Sequence, residues 1–462
     1  MTSTTTGSTK VSIFDAPYRA LTIGIILAVT TVAFEGLAIT TIAPKLAQQL
    51  NGLQLYGWIF TAFMLSQIIG TMVMGKQVDK RGVFKPFVWA IGLFVVGIVI
   101  AALSYNMLML IAGRAFQGFG AGSIITCVYY SITLSYPDAL RTKILAAFSS
   151  AYILPALIGP YFAGVLAEFV SWRFVFWFVL PLIALAVFLT LPTFRNIKAI
   201  KHAPDQKGTH TEIYAVLIAI GTGLLLTGLG MITDWKGIIL AIVGAVVMIQ
   251  PLRKLLPEGS FRVKRGLAAT ILTRGLYFAC YIAAESYVVL AFTELKGYSS
   301  DIAGLIIAGG SLAWSFAAWL QSKLDEKDGG SGREKRVIVG IGIMIVGIAM
   351  VITTIGWPGG GIALAVMSQI LAGFGMGLSN PTTGAIALQH ASSGKEGEVS
   401  SNIQFIDAFG PGLSIGIGGA LIAISESLEM GIYTGIMLAI SIQLVFLLLS
   451  FAAAFRIKTK GS

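Results

Sequence analysis

Apolar residues along this chain run in blocks too long for a strand and too uniform for the stripe of a surface helix. The blocks fall at about 19–46, 55–75, 87–104, 107–134, 143–168, 172–193, 212–232, 237–252, 266–293, 302–320, 337–355, 361–388, 400–424 and 431–455. Most approach or exceed the roughly 20 residues needed to cross about 30 Å of hydrocarbon. The pattern predicts an all-α integral membrane protein with fourteen transmembrane helices joined by short polar connections. An even number of crossings puts both ends of the chain on one side.

Composition agrees and narrows the class. The 462 residues are 56% hydrophobic and 11% charged, with mean hydropathy +0.84. Soluble globular proteins carry about 25% charged residues, so a soluble enzyme, a coiled coil and a disordered scaffold are excluded. The polar first 18 residues lack the basic-then-apolar layout of a cleaved signal, so the first span is expected to direct its own insertion. A net charge of +11 invites a nucleic-acid reading, but its distribution argues otherwise. With the N-terminus in the cytoplasm, 26 of the 32 Lys and Arg fall on cytoplasmic segments. Only Lys45, Arg173, Lys236 and Lys296 fall outside, and Arg114 and Arg274 lie within spans. That asymmetry is the positive-inside pattern. The basic excess sets orientation in a cytoplasmic membrane, and no nucleic-acid partner is expected.

The chain also repeats itself. Gln117-Gly118-Phe119-Gly120-Ala121-Gly122 returns as Ala372-Gly373-Phe374-Gly375-Met376-Gly377, Gly159-Pro160 as Gly410-Pro411, and Glu35 as Glu285, at offsets of 255, 251 and 250. Three nearly equal offsets predict two parallel six-helix bundles, a known transporter plan. The expected organisation is a polar tail 1–18, a bundle 19–193, a linker 194–211, an extra hairpin 212–252, a basic linker 253–265, a second bundle 266–455 and a tail 456–462.

Ionisable groups inside spans cost about 2.5–3.5 kcal/mol each on insertion scales, which makes them functional candidates. Glu35, Glu285, Asp407 and Arg114 are the candidates for proton coupling. A carboxylate moved into an apolar cavity can take a proton on one side and release it on the other. Arg274 is expected to snorkel to the cytoplasmic interface, and Glu168 to reach water at an outer end. Gly159-Pro160, with Pro155, Ala163 and Gly164, would kink and thin the fifth span. Trp58, Gln67, Gln117, Tyr152, Gln369, Asn380 and Gln404 are candidate cavity residues, with Tyr129, Tyr130 and Asn402 beside them. Cys127 and Cys280 read as buried small hydrophobes, and His202, His210 and His390 lie in polar connections. No phosphate-cradling G-x-x-x-x-G-K-[ST], H-E-x-x-H or Cys/His cluster occurs. No cofactor, metal site or enzymatic activity is therefore expected.

Several of these segments resemble one family. Residues Gly75-Lys76-Gln77-Val78-Asp79-Lys80-Arg81-Gly82-Val83-Phe84-Lys85 are similar to the signature loop of the major facilitator superfamily, and Arg114-Ala115-Phe116-Gln117-Gly118-Phe119-Gly120 to its fourth-helix motif. Gly159-Pro160-Tyr161-Phe162-Ala163-Gly164 resembles the fifth-helix motif of exporters, and Glu35-Gly36-Leu37-Ala38-Ile39-Thr40-Thr41-Ile42-Ala43-Pro44 the first helix of the fourteen-helix drug:proton antiporter branch. The resemblance implies a monomeric exporter that exchanges small lipophilic or amphipathic compounds for protons by alternating access. It implies that Asp79, with Arg81 and Gly82, braces a cytoplasmic gate near residues 400–402. By the same resemblance Arg114 assists proton transfer, and Gly159 and Pro160 help seal one conformation. Glu35 stands where the branch commonly has Asp, Pro155 and Ala163 replace glycines, and the second signature loop is reduced to Asp325-Glu326-Lys327. Proton-coupled uptake, a dedicated lipid, peptide or metabolite transporter, and a non-transporting sensor or scaffold stay open as alternatives.

Overall fold

The structure is a computed structural model and describes residues 12–196, 211–390 and 396–457. Lys10, Lys198, Lys201, Lys207, Lys395, Lys458 and Lys460 of the charge count, with His202 and His210, lie outside the described residues. Every regular element among those described is helical: α1 (Ala16–Gln49), α2 (Tyr56–Arg81), α3 (Phe84–Ala102), α4 (Met107–Ser135), α5 (Asp138–Ser150), α6 (Ile153–Leu166), α7 (Trp172–Asn196), α8 (Thr211–Gly230), α9 (Trp235–Leu255), α10 (Leu267–Glu294), α11 (Ser300–Asp328), α12 (Arg333–Gly356), α13 (Ile362–Gln389), α14 (Glu396–Ser427) and α15 (Gly431–Ala454). Ends fall where local chemistry dictates. The Asn106 side chain accepts from the Met109 N–H at 2.8 Å and starts α4, satisfying one orphan donor of the first turn. Gly82 stops α2 at φ +72°, a conformation that costs a side chain dearly.

Among the described residues, length and hydropathy mark thirteen membrane-crossing stretches rather than fourteen, because residues 153–195 form one helical run. The fifth and sixth spans are joined through a π turn at Ala167–Ser171. That run cannot be straight, since the Phe162 and Phe178 rings sit 4.9 Å apart across it. The chain therefore reverses at the π turn. The expected fifth span, 143–168, is corrected in another respect. It breaks at Ala151–Tyr152 into α5 and α6, with Pro155 in the first turn of α6. A proline at that point has no N–H to miss and suits a helix start rather than a helix interior.

The repeated glycines do the same work twice. In the first half α4 packs between α2 and α3; in the second, α13 packs between α11 and α12. A methyl on Gly118 would meet the Phe63 carbonyl, and one on Gly122 the Gln67 carbonyl. In the other half a methyl on Gly373 would meet the Gly310 carbonyl, and one on Gly377 the Trp314 carbonyl. Without a hydrophobic force between helices in lipid, such backbone approach is what holds them. Gly118→Val is expected to cost about 1–3 kcal/mol by overpacking, read as a lower unfolding temperature in detergent. An unchanged midpoint would show that α2 and α4 can separate freely.

α8 and α9 pack on each other, and α8 lies against both α2 and α14. The two halves meet along α2–α14, α6–α11 and α1–α10.

Candidate functional site

Connectivity defines two ends of the bundle. One end carries Lys76, Lys80, Arg81, Arg333 and Arg336 and is called the basic end; the other carries Lys45, Arg173, Lys236 and Lys296. The far end is shut. Tyr56 donates to the Ser286 carbonyl at 2.7 Å, Thr61 to the Gly412 carbonyl at 2.9 Å, and Gln48 to Glu294 at 2.5 Å, all between halves. Lys45 pairs with Glu168 at 3.0 Å, and Trp172 donates to Gln49 at 2.7 Å, binding the far end of the first half to itself. Glu168, at 37% side-chain exposure, does reach the surface there. At this end the Pro160 carbonyl lies against Gly304 and Gly164 against the Ser300 backbone, while Gly159 faces Phe34 of its own half. A Cβ on Gly164 would sit 2.6 Å from the Ser300 oxygen. Gly164→Val is thus expected to wedge α6 from α11. A strain of about 1.4 kcal/mol favours the opened state tenfold. Faster alkylation of a Thr41→Cys probe by a water-soluble maleimide reports the opening; an unchanged rate counts against this seam as the seal.

The basic end is open. A cavity of about 670 Å³ is lined by Gln67, Thr71, Tyr129, Phe148, Tyr152 and Gln404, with Phe278, Phe405 and Asp407 deeper in the second half. Lys76, Asp79, Glu212 and Ser401 also line it. Of the candidate cavity residues, Gln67, Tyr152 and Gln404 are on this wall. Trp58 lines a separate recess of about 220 Å³ beside Leu226 and Gly419. Gln117, Gln369 and Asn380 are set among helices. Asp79 and Ser401 both line the cavity, but among the described residues Asp79 has no hydrogen bond or ion pair. Arg81 borders a recess outside the cavity with Lys85 and Trp89. The second signature loop is instead latched: Asp325 pairs with Arg333 and Arg336, and Arg336 with Asp328 at 2.5 Å.

Three acids within the spans stand in three different settings, two of them buried and Asp407 partly exposed. Glu35 is 2% exposed and one of its oxygens pairs with Arg114, itself 1% exposed. That guanidinium also donates to the Ile59 carbonyl at 3.0 Å and to Gln117 Oε1 at 2.9 Å, and lies 4.4 Å over the Phe63 ring. The second Glu35 oxygen and Gln117 Nε2 have no partner among the described residues. Asp407 faces the cavity and takes two parallel bonds from Arg274, at 2.8 and 2.7 Å. Arg274 also donates to the Asn380 carbonyl and to Thr383, which in turn bonds Tyr277 at 2.6 Å. The expectation that Arg274 snorkels to the interface is corrected. It is 6% exposed, because a fork-shaped cation gains more from a bidentate carboxylate than from a partial reach to water. Glu285 differs from both. It is 8% exposed, receives a hydrogen bond from Tyr281 at 3.1 Å, and has no cation paired with it among the described residues.

Tyr281, Tyr277, Thr383 and the cavity aromatics Phe148, Phe278 and Phe405 escaped the sequence reasoning. Tyr281 could have been found, since it stands one turn before Glu285 on the same face. The aromatics carry no such signal in a chain with 27 Phe.

Comparison with known proteins adds a family. The model described as Major Facilitator Superfamily matches residues 23–415. The chain is 27% identical over 299 residues to the multidrug efflux pump SdrM of Staphylococcus aureus (strain N315), covering 63% of this chain and 66% of that protein. It is 22% identical over 423 residues to multidrug resistance protein 3 of Bacillus subtilis (strain 168), covering 88% and 80%. The chain spans between about half and four fifths of the length of these first relatives. Among solved structures, a bacterial homologue of the human lysosomal transporter Spinster, inward-facing and unoccupied, superposes with TM-score 0.66 at 15% identity, covering 94% of this chain and 96% of that one. An auto-inhibited POT family peptide transporter gives TM-score 0.65 at 17% identity.

Proposed function

Since the chain belongs to the major facilitator superfamily, and is a multi-pass membrane transporter rather than an enzyme, we propose that it is a proton-coupled exporter of lipophilic or amphipathic compounds. In this reading it sits in the cytoplasmic membrane with both termini inside. The basic end faces the cytoplasm, and the present state is inward-open. Two six-helix halves rock about the central cavity, with the α8–α9 pair inserted between them in sequence.

The observation that carries the proposal is the setting of Glu285. An ionised carboxylate buried without a counter-ion costs several kcal/mol, whereas Glu35 and Asp407 each have an arginine. Glu285 is therefore the acid whose charge has to be removed for the halves to close on it. It takes a proton from outside when the far end is open and releases it to the cytoplasm when the basic end is open. The substrate, held by the aromatic wall of Tyr129, Phe148, Tyr152, Phe278 and Phe405, makes the opposite journey. The multidrug efflux pump among the relatives supports the direction. In proteoliposomes with an imposed pH gradient, a lipophilic dye should move against the proton flow. Movement with the protons would make the protein an uptake system, and indifference to the gradient would end the coupling proposal.

A further inference from the structure

The signature segment turns its last two cations away from the cavity. Arg81 and Lys85 border a recess of about 310 Å³ between α2, α3 and α4. Among the described residues, this recess and the cavity share no lining residue. α2 contributes Val73, Gln77 and Arg81, and α3 contributes Lys85, Trp89 and Leu93. Each set is spaced i, i+4, i+8 and so forms one stripe along its helix. α2 runs toward the basic end and α3 away from it, so both stripes put their cation at the mouth. Eight residues of helix rise about 12 Å. Over that depth the lining passes from the cations to Gln77 and Trp89, then to Val73, Leu93 and the Phe119 ring of α4. Trp89 is 69% exposed, at the level where indoles anchor in a bilayer surface. A charged mouth above an apolar floor has the polarity of a phospholipid.

Charge then picks the head group. Arg81 and Lys85 are exposed and have no ion pair or hydrogen bond among the described residues. At the same end of the second half, Arg333 and Arg336 are instead held by Asp325 and Asp328. Exposed cations need no partner in water, so the groove beneath them is what marks this pair. A guanidinium forks onto two phosphate oxygens, and an ammonium adds a point charge. Basic recesses between membrane helices suit anionic head groups for that reason.

We infer that this groove binds one anionic phospholipid, its phosphate between Arg81 and Lys85 and an acyl chain on Val73, Leu93 and Phe119. A lipid so held ties the end of α2 to the start of α3 across Gly82. The site rests neither on proton coupling nor on the direction of transport.

Native mass spectrometry of the detergent-purified full chain, titrated with phosphatidylglycerol or phosphatidylcholine, tests it. One phosphatidylglycerol should be retained at concentrations where phosphatidylcholine is not. Arg81→Gln/Lys85→Gln should weaken that retention roughly thirtyfold, the equivalent of about 2 kcal/mol. Arg253→Gln/Lys254→Gln removes the same charge from the exposed last turn of α9 and should leave retention unchanged. Equal loss in the two double variants would mean diffuse attraction to the basic end and overturns the site. Equal retention of the two lipids overturns it as well, and so does a dimer that takes up neither. Val73→Trp fills the floor and keeps both cations, which covers the case of a charge variant that fails to fold. Phosphatidylglycerol should be lost from it; undiminished retention overturns the groove as the seat of the chain. Inorganic phosphate in excess should not displace the lipid, and displacement would reduce the site to a bare anion contact.

Discussion

Glu285→Gln is expected to uncouple transport from the proton gradient while leaving the protein able to exchange substrate across the membrane. The amide keeps the size and the hydrogen bond from Tyr281 but has no charge to gain or lose. The halves of such a variant can close with or without a proton from outside. For a neutral substrate exchanged for one proton, losing that charge removes about 2.3 kcal/mol of drive at 100 mV, a roughly 50-fold fall in the concentration ratio the protein can hold. Substrate counterflow at equal pH on both sides should persist, because it needs only the cavity and the rocking motion. The measurement is dye accumulation with and without an imposed gradient, set beside counterflow in the same vesicles. Wild-type accumulation with an intact pH response would remove Glu285 from the mechanism. Loss of counterflow as well would show a damaged fold rather than lost coupling.

Glu285 also shows how much of the site the sequence held. Its position was visible as an acid inside an apolar block and as the repeat partner of Glu35. What set it apart was not visible. Glu35 and Glu285 occupy matching places, yet one helix away the first half has Arg114 and the second half, by the same offset of 255, has Gln369. Gln369 is buried, and its amide nitrogen has no partner among the described residues. The repeat therefore supplies a counter-ion on one side only. Pairings across helices distant in sequence, such as Arg274 with Asp407, depend on helix rotation that periodicity alone does not fix in spans apolar all round. Spans and glycine contacts were legible because lipid forces backbone bonds to close within each helix and leaves small residues as the means of approach. The break at Ala151–Tyr152 was not, because the flanking residues are apolar on both sides and a proline reads equally as a kink within one helix or as the first turn of a new one.

The buried pair in the first half makes the other large effect. Arg114→Met leaves the Glu35 carboxylate without the one cation paired with it among the described residues, a loss of about 3–5 kcal/mol when a buried pair is broken from one side. Glu35→Gln should cost less, since Arg114 keeps the Ile59 carbonyl, Gln117 Oε1 and the Phe63 ring. The double variant Glu35→Gln/Arg114→Met removes both charges, and it should unfold at a higher temperature than Arg114→Met alone. That ordering separates a pair retained for its chemistry from one retained for stability, because an apolar replacement of a buried ion pair is often neutral or better for folding. The measurement is a double-mutant cycle from thermal unfolding of the four proteins in detergent, paired with the accumulation assay. Single effects that add to within about 0.5 kcal/mol would mean that the two groups act independently. If the double variant is restored in stability yet fails to hold a gradient, the pair belongs to the coupling machinery, and Glu35 shares the proton's path with Glu285. If it is restored in both respects, the ion pair only fixes α1 against α4, and the proton's route runs through the second half alone.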